Sequence, residues 1–193
     1  MRLVLATRND HKVRELSRLL PGVRLEPLPP DVELPPEDGE TFEENALGKA
    51  RAAAAARGRP AVGDDSGVEA EALGGAPGIY SARFAGPGAS DGDNLAKLRA
   101  EAPAGSRLRY VCVMAYAAPD GTEATFTGTC EGTLAADPRG AGGFGYDPAF
   151  LPVDLGDGRT MAELDDAEKD AISHRGRATR ALAAWLRERE GAS

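Results

Sequence analysis

The sequence predicts an α/β fold in which a mixed sheet carries helices. Short apolar runs at 2–6, 23–28 and 107–118 are typical of β-strands. Apolar residues at helical spacing follow the first run, and Thr-x-x-Glu capping boxes begin at Thr41 and Thr160. With 193 residues, the chain is long enough for one domain, residues 1–193, with a sizeable core and at most two lobes.

The N-terminal strand at 2–6 leads through a polar turn into a helix whose apolar residues recur at helical spacing. Because free backbone N–H groups point outward where a helix begins, a strand, a turn and a helix start form an anion site. Thr7, Asn9 and Lys12 add a hydroxyl, an amide and an ammonium to this turn. From the local pattern alone, Asn9 or Asp10 is a helix cap.

The second predicted strand is followed by a proline-rich, acidic loop that must be extended. Thr41 then caps an Ala-rich helix, with Glu44 in the capping box and Gly58 at the helix end. On this helix, Asn45 and Lys49 lie one turn apart on the same face.

Two adjacent carboxylates, Asp64 and Asp65, follow a short apolar run and precede Ser66 and Gly67. An apolar run stopped by a turn predicts a buried strand that ends at a surface. Neighbouring residues on an extended chain point in opposite directions, so Asp64 and Asp65 are expected to face different environments. One can serve a metal or a water while the other anchors the turn, although Asp-Asp-Ser-Gly is also ordinary turn chemistry.

The C-terminal half begins with a predicted helix at 90–101. Predicted β segments follow at 107–118, 123–131 and 133–136, with Asp120-Gly121 as a hairpin signal. These segments are long enough to extend a mixed sheet away from the N-terminal half.

A glycine-rich loop at 140–147 follows the β segments. Its glycines let the backbone close on a flat ligand, Phe144 can stack on a base, and Asp147 can accept a hydrogen bond from a ring N–H. His174 lies just before the last amphipathic helix, and taken alone it fits a packed core histidine.

The net charge of −8 argues against non-specific binding to nucleic acid or to anionic membranes. No apolar run approaches the length of a membrane span and no signal peptide is recognised, so a cytoplasmic location is expected. Cys112 and Cys130 lie in strand-like segments, where reduced, buried thiols are favoured over a disulfide. Two histidines without paired cysteines do not favour a zinc site. The sequence shows neither a Walker P-loop nor a Ser-His-acid pattern.

Five segments, taken together and in this order, resemble the inosine triphosphate pyrophosphatase family. They span 3–12, 41–50, 61–84, 142–148 and 168–175, and they carry Thr7-Arg8-Asn9-Asp10-His11-Lys12, Asn45 with Lys49, Asp64-Asp65-Ser66-Gly67, Gly143-Phe144-Gly145-Tyr146-Asp147 and Ser173-His174-Arg175. The resemblance covers nearly the full chain. The sequence departs from a common family pattern at Arg8 and His11, where many members carry small residues.

The resemblance implies an elongated mixed sheet with flanking helices that form two lobes around a nucleotide cleft. It also implies a homodimer and Mg²⁺-dependent hydrolysis of ITP, dITP or XTP to the monophosphate and pyrophosphate, which cleanses the nucleotide pool. Asp65 would orient or deprotonate the attacking water, and it would bind Mg²⁺ together with Glu37. Asp64 would be either a second metal ligand or the anchor of the turn.

The implied substrate contacts are Thr7, Arg8, Asn9, Asp10, His11, Lys12, Lys49, Ser66, Phe144, Gly145, Tyr146, Asp147, Lys169, His174 and Arg175. Lys12 and Lys49 would bind phosphate, while Arg8 would either contact phosphate or point to solvent. Arg175 carries only donors, so it can pair with a 6-keto oxygen but not with the 6-amino group of adenine. The expected preference is therefore ITP and XTP over ATP.

Two other functions fit parts of the pattern. A non-catalytic nucleotide-binding module would keep the pocket and lose turnover, but the presence of both Asp64 and Asp65 argues against it. A pyrimidine-directed pyrophosphatase of similar fold is disfavoured by the loop from Phe144 to Asp147 and by the His174-Arg175 pair.

Overall fold

The computed structural model describes residues 1–191, and contacts between Cα atoms divide the chain into two compact units. Unit 1 comprises Met1–Asp65, Cys112–Gly128 and the described residues from Arg175 onward. Unit 2 comprises Ser66–Val111 and Thr129–His174. Among residues 1–191, no helix is both long enough and apolar enough to cross a membrane.

The secondary structure confirms the predicted α/β class. The strands are β1 (Arg2–Leu5), β2 (Arg24–Pro27), β3 (Ala61–Ala70), β4 (Arg107–Ala117), β5 (Glu123–Leu134) and β6 (Phe150–Pro152). The helices are α1 (Asp10–Leu19), α2 (Phe42–Arg57), α3 (Asp91–Glu101), α4 (Asp166–Ile172) and α5 (His174–Gly191). The strands form one sheet in the order β2-β1-β3-β4-β5-β6.

The sheet is mixed, as predicted. Strand β1 pairs in parallel with β2 and with β3, whereas β5 pairs antiparallel with β6. Strand β2 lies at one edge of the sheet and ends at Pro27. Proline has no backbone N–H to donate, and an edge strand tolerates it because no hydrogen bond inside the sheet is lost.

Unit 1 buries both faces of β1. Leu3 and Leu5 lie in an apolar cluster with residues of α1 and α5, whereas Val4 and Ala6 lie in a second cluster with the alanines of α2. Side chains alternate along a strand, so a strand covered on both faces needs an unbroken apolar run. The apolar run at 2–6 is therefore explained by the burial of both faces of β1.

The predicted start and end of α2 are confirmed. Thr41 Oγ1 accepts a hydrogen bond from Glu44 N at 3.1 Å, and Gly58 ends the helix in the left-handed conformation with φ of 59°. The reciprocal bond of the predicted capping box is shifted by one residue: the Glu44 carboxylate accepts from Glu40 N at 2.7 Å, one residue before the N-cap.

Unit 2 has its own apolar cluster. It contains Val68 and Ala70 of β3, Leu95 and Leu98 of α3, and Phe150 of β6, among other residues. Ser90 caps α3 in a capping box with Asp93, which confirms the predicted start of that helix.

The predicted end of the strand at Asp64 and Asp65 is wrong. Strand β3 continues to Ala70, so both carboxylates lie in mid-strand. Val68 and Ala70 are fully buried in the unit 2 cluster, and this burial together with strand pairing overrides the turn signal of Asp-Asp-Ser-Gly.

The predicted separate β segments at 123–131 and 133–136 form one strand, β5. Gly132 does not mark a turn: it pairs with Pro152, and a Cβ at this position would lie 2.5 Å from the Phe150 ring. Glycine is therefore required here by close packing between strands. Cys112 and Cys130 are buried free thiols as predicted, and burial raises the pKa of Cys112 to about 12.

Gly63 generates a stability prediction, because α2 packs directly on β3 at this residue. A Cβ at position 63 would lie 2.7 Å from the backbone oxygen of Ala46 and 3.1 Å from the nitrogen of Ala50. Gly63→Ala should therefore lower the free energy of unfolding by about 1–3 kcal/mol, measured by urea denaturation.

Gly48→Ala on α2 is the matched control. Its new Cβ would meet only Pro35 Cγ at an ordinary 3.7 Å, and alanine favours the helix by about 1 kcal/mol. Equal stability of the Gly63→Ala protein and the wild type would show that α2 can move away from the strand.

Candidate active site

The turn after β1 is held by local hydrogen bonds. Asn9 is the N-cap of α1, and its Oδ1 accepts from His11 N at 2.9 Å and from Lys12 N at 3.2 Å. Thr7 Oγ1 accepts from Asn9 N at 3.2 Å, and Asp10 is the first residue of the helix. Of the two cap candidates in the sequence, Asn9 and Asp10, the structure selects Asn9, which keeps the first turn of α1 ordered.

Arg8 uses its guanidinium to hold the proline-rich loop. Its Nη2 donates to the backbone oxygen of Val32 at 2.7 Å and to those of Pro29 and Pro30 at 3.3 Å each. The sequence predicted that Arg8 would either contact phosphate or point to solvent, and neither prediction included these bonds to the proline-rich loop. His11 lies beside Arg14, with 3.0 Å between His11 Nδ1 and Arg14 Nη2.

Asp64 is an ion-pair anchor inside unit 1. Its side chain is fully buried, and its Oδ2 lies 2.8 Å from Lys12 Nζ and 3.4 Å from Arg175 Nη2. Burial alone would raise the pKa of Asp64, but Lys12, Arg175 and Lys49 outweigh it and hold that pKa well below its ordinary value. The second oxygen, Oδ1, has no hydrogen-bond partner among the described residues.

Arg175 is also fully buried. Its Nη1 donates to Glu15 Oε2 at 2.6 Å, so the guanidinium bridges a carboxylate of α1 and the carboxylate of Asp64. Burial opposes its charge, yet Asp64 and Glu15 raise the pKa of Arg175 further above its ordinary value. The expected base contact of Arg175 remains a prediction, and the structure shows its hydrogen bonds to these two acids.

Asp65 lies in a different environment from Asp64, as predicted. Its Oδ2 accepts from Asn45 Nδ2 at 2.9 Å, and its Oδ1 lies 3.8 Å from Lys49 Nζ. Burial raises the pKa of Asp65, and the opposing effects of Lys49 and Asn45 do not cancel it. A carboxylate with raised proton affinity is suited to accept a proton from water.

Glu37 completes this group from the proline-rich loop. Its Oε1 lies 2.6 Å from Lys49 Nζ. Burial raises the pKa of Glu37, but Lys49 outweighs it, and the net pKa lies below its ordinary value. One ammonium therefore lies beside two carboxylates whose pKa values are shifted in opposite directions.

Asn45 is a site residue to which the sequence assigned no role. Its Oδ1 accepts from Gly39 N at 2.9 Å, while its Nδ2 donates to Asp65. Asn45 thus connects the acidic loop to the carboxylate on β3. The signal that could have identified it was its position one turn before Lys49 on the same face of α2.

The carboxylates of Glu37 and Asp65 fit a magnesium ion. Among residues 1–191, no group of three or more His, Cys, Asp or Glu side chains forms a complete metal site. Mg²⁺ commonly takes only one or two protein carboxylates and completes its octahedron with water and substrate phosphate. The pair around Lys49 offers this kind of partial, oxygen-only donor set.

Unit 2 contains a buried carboxylate of its own, Asp147. Its Oδ2 accepts from Lys169 Nζ at 2.7 Å and from Phe144 N at 2.9 Å, and its Oδ1 accepts from Tyr110 OH at 3.0 Å. Gly143 has φ of 68° and leaves no space for a Cβ beside this carboxylate. The expected ring N–H would therefore have to compete with these donors for Asp147.

The other predicted residues of unit 2 surround this network. Lys169 Nζ lies 5.1 Å from the centre of the Phe144 ring, and the Tyr110 ring stacks on His174 at 4.5 Å. Tyr146 is buried and its hydroxyl donates to Ser81 O at 2.8 Å, so its side chain supports the loop.

The remaining predicted contacts of unit 2 are less buried. Gly145 N donates to Asp91 Oδ2 at 2.7 Å, and Ser66 is half-buried on β3. Tyr110 was missed as a site residue, because an aromatic residue in an apolar strand resembles any other core residue.

The buried ion pairs of Arg175 generate a second stability prediction. Arg175→Ala leaves Asp64 and Glu15 buried with less compensating charge, so the free energy of unfolding should fall by about 3–5 kcal/mol in urea denaturation. Arg187→Ala, on an exposed position of the same helix, should change it by less than about 0.5 kcal/mol. Similar small losses in both variants would contradict a structural role for the buried pairs.

The family model that matches this chain is that of the Ham1 family, over residues 3–185. The dITP/XTP pyrophosphatase of Symbiobacterium thermophilum is 54% identical over 183 residues, which cover 92% of this chain and 90% of the relative. That of Geobacter sulfurreducens is 49% identical and covers 92% of each chain. A solved HAM1 protein from Coxiella burnetii is 40% identical, with a TM-score of 0.86 over 97% of this chain and 99% of its own. The chain belongs to the Ham1 family.

Proposed function

We propose that this protein hydrolyses non-canonical purine nucleoside triphosphates, namely ITP, dITP and XTP, to the nucleoside monophosphate and pyrophosphate. Such an activity removes damaged nucleotides from the precursor pool. The observation that carries the proposal is the group around Lys49, whose Nζ lies 2.6 Å from Glu37 Oε1 and 3.8 Å from Asp65 Oδ1. The names of the dITP/XTP pyrophosphatases that are about half identical to this chain support the same activity.

Unit 1 supplies the groups for phosphate chemistry. Lys12 and Lys49 are cations already held in place by Asp64 and Glu37, so little reorganisation is needed when they stabilise phosphate charge. Asp65 would accept a proton from the attacking water, and its hydrogen bond from Asn45 fixes the direction of the carboxylate.

Glu37 and Asp65 would hold Mg²⁺. When bound, the ion would supply neutralisation of the negative charge that develops on the phosphate oxygens. Lys49 lies beside both carboxylates, so it keeps them from repelling each other when the ion is absent.

Unit 2 supplies the groups for base recognition. Phe144 would stack on the purine, and Lys169 and His174 would offer donors to a 6-keto oxygen. An adenine amino group would place a donor against a donor, leaving both unpaired at a cost of about 1–3 kcal/mol each. We propose that Arg175 adds to this preference, either directly or through its hold on Asp64.

We also propose that the protein is a cytoplasmic homodimer that acts on free nucleotides. The net charge of −8 disfavours nucleic acid and anionic membranes as partners. Two-fold dimers are the commonest assembly among oligomeric proteins.

The products of the reaction test the proposed function. Incubation with XTP, dITP, ITP, ATP or GTP and Mg²⁺ should release pyrophosphate, detected by added inorganic pyrophosphatase. XTP, dITP and ITP should be preferred over ATP by roughly tenfold or more, since a mismatched hydrogen bond costs about 1–3 kcal/mol. In ¹⁸O-labelled water, the label should enter the monophosphate, because water attacks the α-phosphorus.

Several results would reject this proposal. Orthophosphate and a diphosphate as primary products would place the attack on the γ-phosphorus. Equal efficiency on ATP and XTP would remove the base preference. Tight nucleotide binding without any pyrophosphate release would show a binding module.

Asp65→Asn tests the catalytic carboxylate. The amide keeps the size of the side chain but removes the charge needed for proton acceptance and for Mg²⁺, so turnover should fall by at least roughly 10²–10⁴-fold. XTP binding, measured by calorimetry, should persist because Lys12 and Lys49 remain. Asp120→Asn in the exposed hairpin turn is the control and should keep full activity; full activity in Asp65→Asn would exclude Asp65 as the base.

A further inference from the structure

Tyr110 connects two parts of the unit 2 network. It lies on β4 and is 5% exposed, and its hydroxyl donates to Asp147 Oδ1 at 3.0 Å. Its ring lies between two others, 4.2 Å from the centre of the Phe150 ring and 4.5 Å from that of His174. The His174 ring is nearly parallel to it, at 13°. One side chain thus contacts both Asp147 and His174.

The donors to Asp147 come from three different parts of the chain. Lys169 belongs to α4, Phe144 N to the glycine-rich loop, and Tyr110 to a strand of the sheet. A buried carboxylate is costly unless its oxygens are satisfied, so each donor restricts where the carboxylate can lie. Tyr110 is the donor attached to the sheet, and it ties the position of Asp147 to that of β4.

Asp147 in turn contacts the two groups to which the proposed function assigns purine recognition. Asp147 Oδ2 binds both Lys169 Nζ and the backbone of Phe144, and that ammonium lies over the Phe144 ring. A shift of the carboxylate would move the ammonium and the stacking ring together. Burial and the neighbouring Asp147 keep the pKa of Tyr110 well above its ordinary value, so the hydroxyl stays a donor at physiological pH.

We propose that Tyr110 is a positioning residue for purine recognition: by fixing Asp147 and His174, it sets the discrimination between 6-keto and 6-amino purines without touching the substrate. This inference rests on the proposed function. It differs from a role in the core alone, because a core residue would affect all substrates equally. A positioning residue changes the ratio between a keto substrate and an amino substrate.

The test is Tyr110→Phe, which keeps the ring between Phe150 and His174 and removes only the hydroxyl. The kcat/KM for XTP should fall roughly tenfold, mainly through KM, because a hydrogen bond to a buried charged group is lost. The kcat/KM for ATP should change less than twofold, since ATP does not accept the bond that Lys169 offers. The ratio of XTP to ATP efficiency should therefore fall several-fold.

Tyr116→Phe is the matched control. Tyr116 lies on the same strand with the same 5% exposure, but in unit 1, where its ring packs edge-on against Trp185. Tyr116→Phe should keep the wild-type ratio of XTP to ATP efficiency. The ratio compares two substrates of one preparation, so it does not depend on the fraction of folded enzyme, even if Tyr110→Phe is less stable.

The result for the wild-type protein distinguishes failure of the proposed function from failure of the inference on Tyr110. A wild type that releases no pyrophosphate, or that uses ATP and XTP equally, would overturn the proposed function and this inference with it. A selective wild type with an unchanged ratio in Tyr110→Phe would overturn the inference alone. The same fall in ratio for Tyr116→Phe would also overturn it, because the effect would not be specific to Asp147.

Discussion

The buried charge of Asp64 is the constraint on which the unit 1 site depends. A carboxylate without partners in the interior costs several kcal/mol of folding free energy. Asp64 lies in the middle of β3, and this strand is flanked in the sheet by β1 and β4. Lys12 reaches it from α1 and Arg175 from α5, so two helices are tied to the strand by charge as well as by apolar packing. The need to neutralise one acid thereby places a cation at the start of α1, where the free N–H groups of a helix start also favour negative charge.

Each unit contains lysine side chains that are held by ion pairs with carboxylates. Lys12, Lys49 and Lys169 each lie within 2.8 Å of a carboxylate oxygen, on Asp64, Glu37 and Asp147 respectively. A lysine side chain has many rotamers, and an ion pair selects among them before any ligand arrives. The cost of ordering these ammonium groups is therefore met on folding, which is the basis of preorganised binding.

Much of this could be predicted from the sequence, and the exceptions have physical reasons. Local signals such as the Thr41 cap, the Asn9 cap and the apolar run of β1 act over a few residues, and the structure confirms them. The continuation of β3 depends on strand pairing, which a local turn signal does not reveal.

Contacts between residues that are far apart in the sequence were also not predicted. The contact of Arg175 with Glu15 joins residues 160 apart, and that of Tyr110 with Asp147 joins residues 37 apart. Neither spacing carries a periodic pattern in the sequence. The resemblance to a family supplied candidate residues, but it did not say which of them hold each other in place.

The bonds of Arg8 have an electrostatic consequence. Its partners are neutral backbone carbonyls, which orient the guanidinium without cancelling its charge. Arg8 is exposed, so its field extends into the solvent beside the turn that begins α1. A polyanion approaching a protein of net charge −8 is repelled at long range, and an exposed cation bonded to neutral carbonyls gives it a favourable direction of approach. Because salt screens such fields over about 10 Å at 0.1 M, the rate at which an anionic ligand is captured would depend on ionic strength more steeply than its affinity once bound.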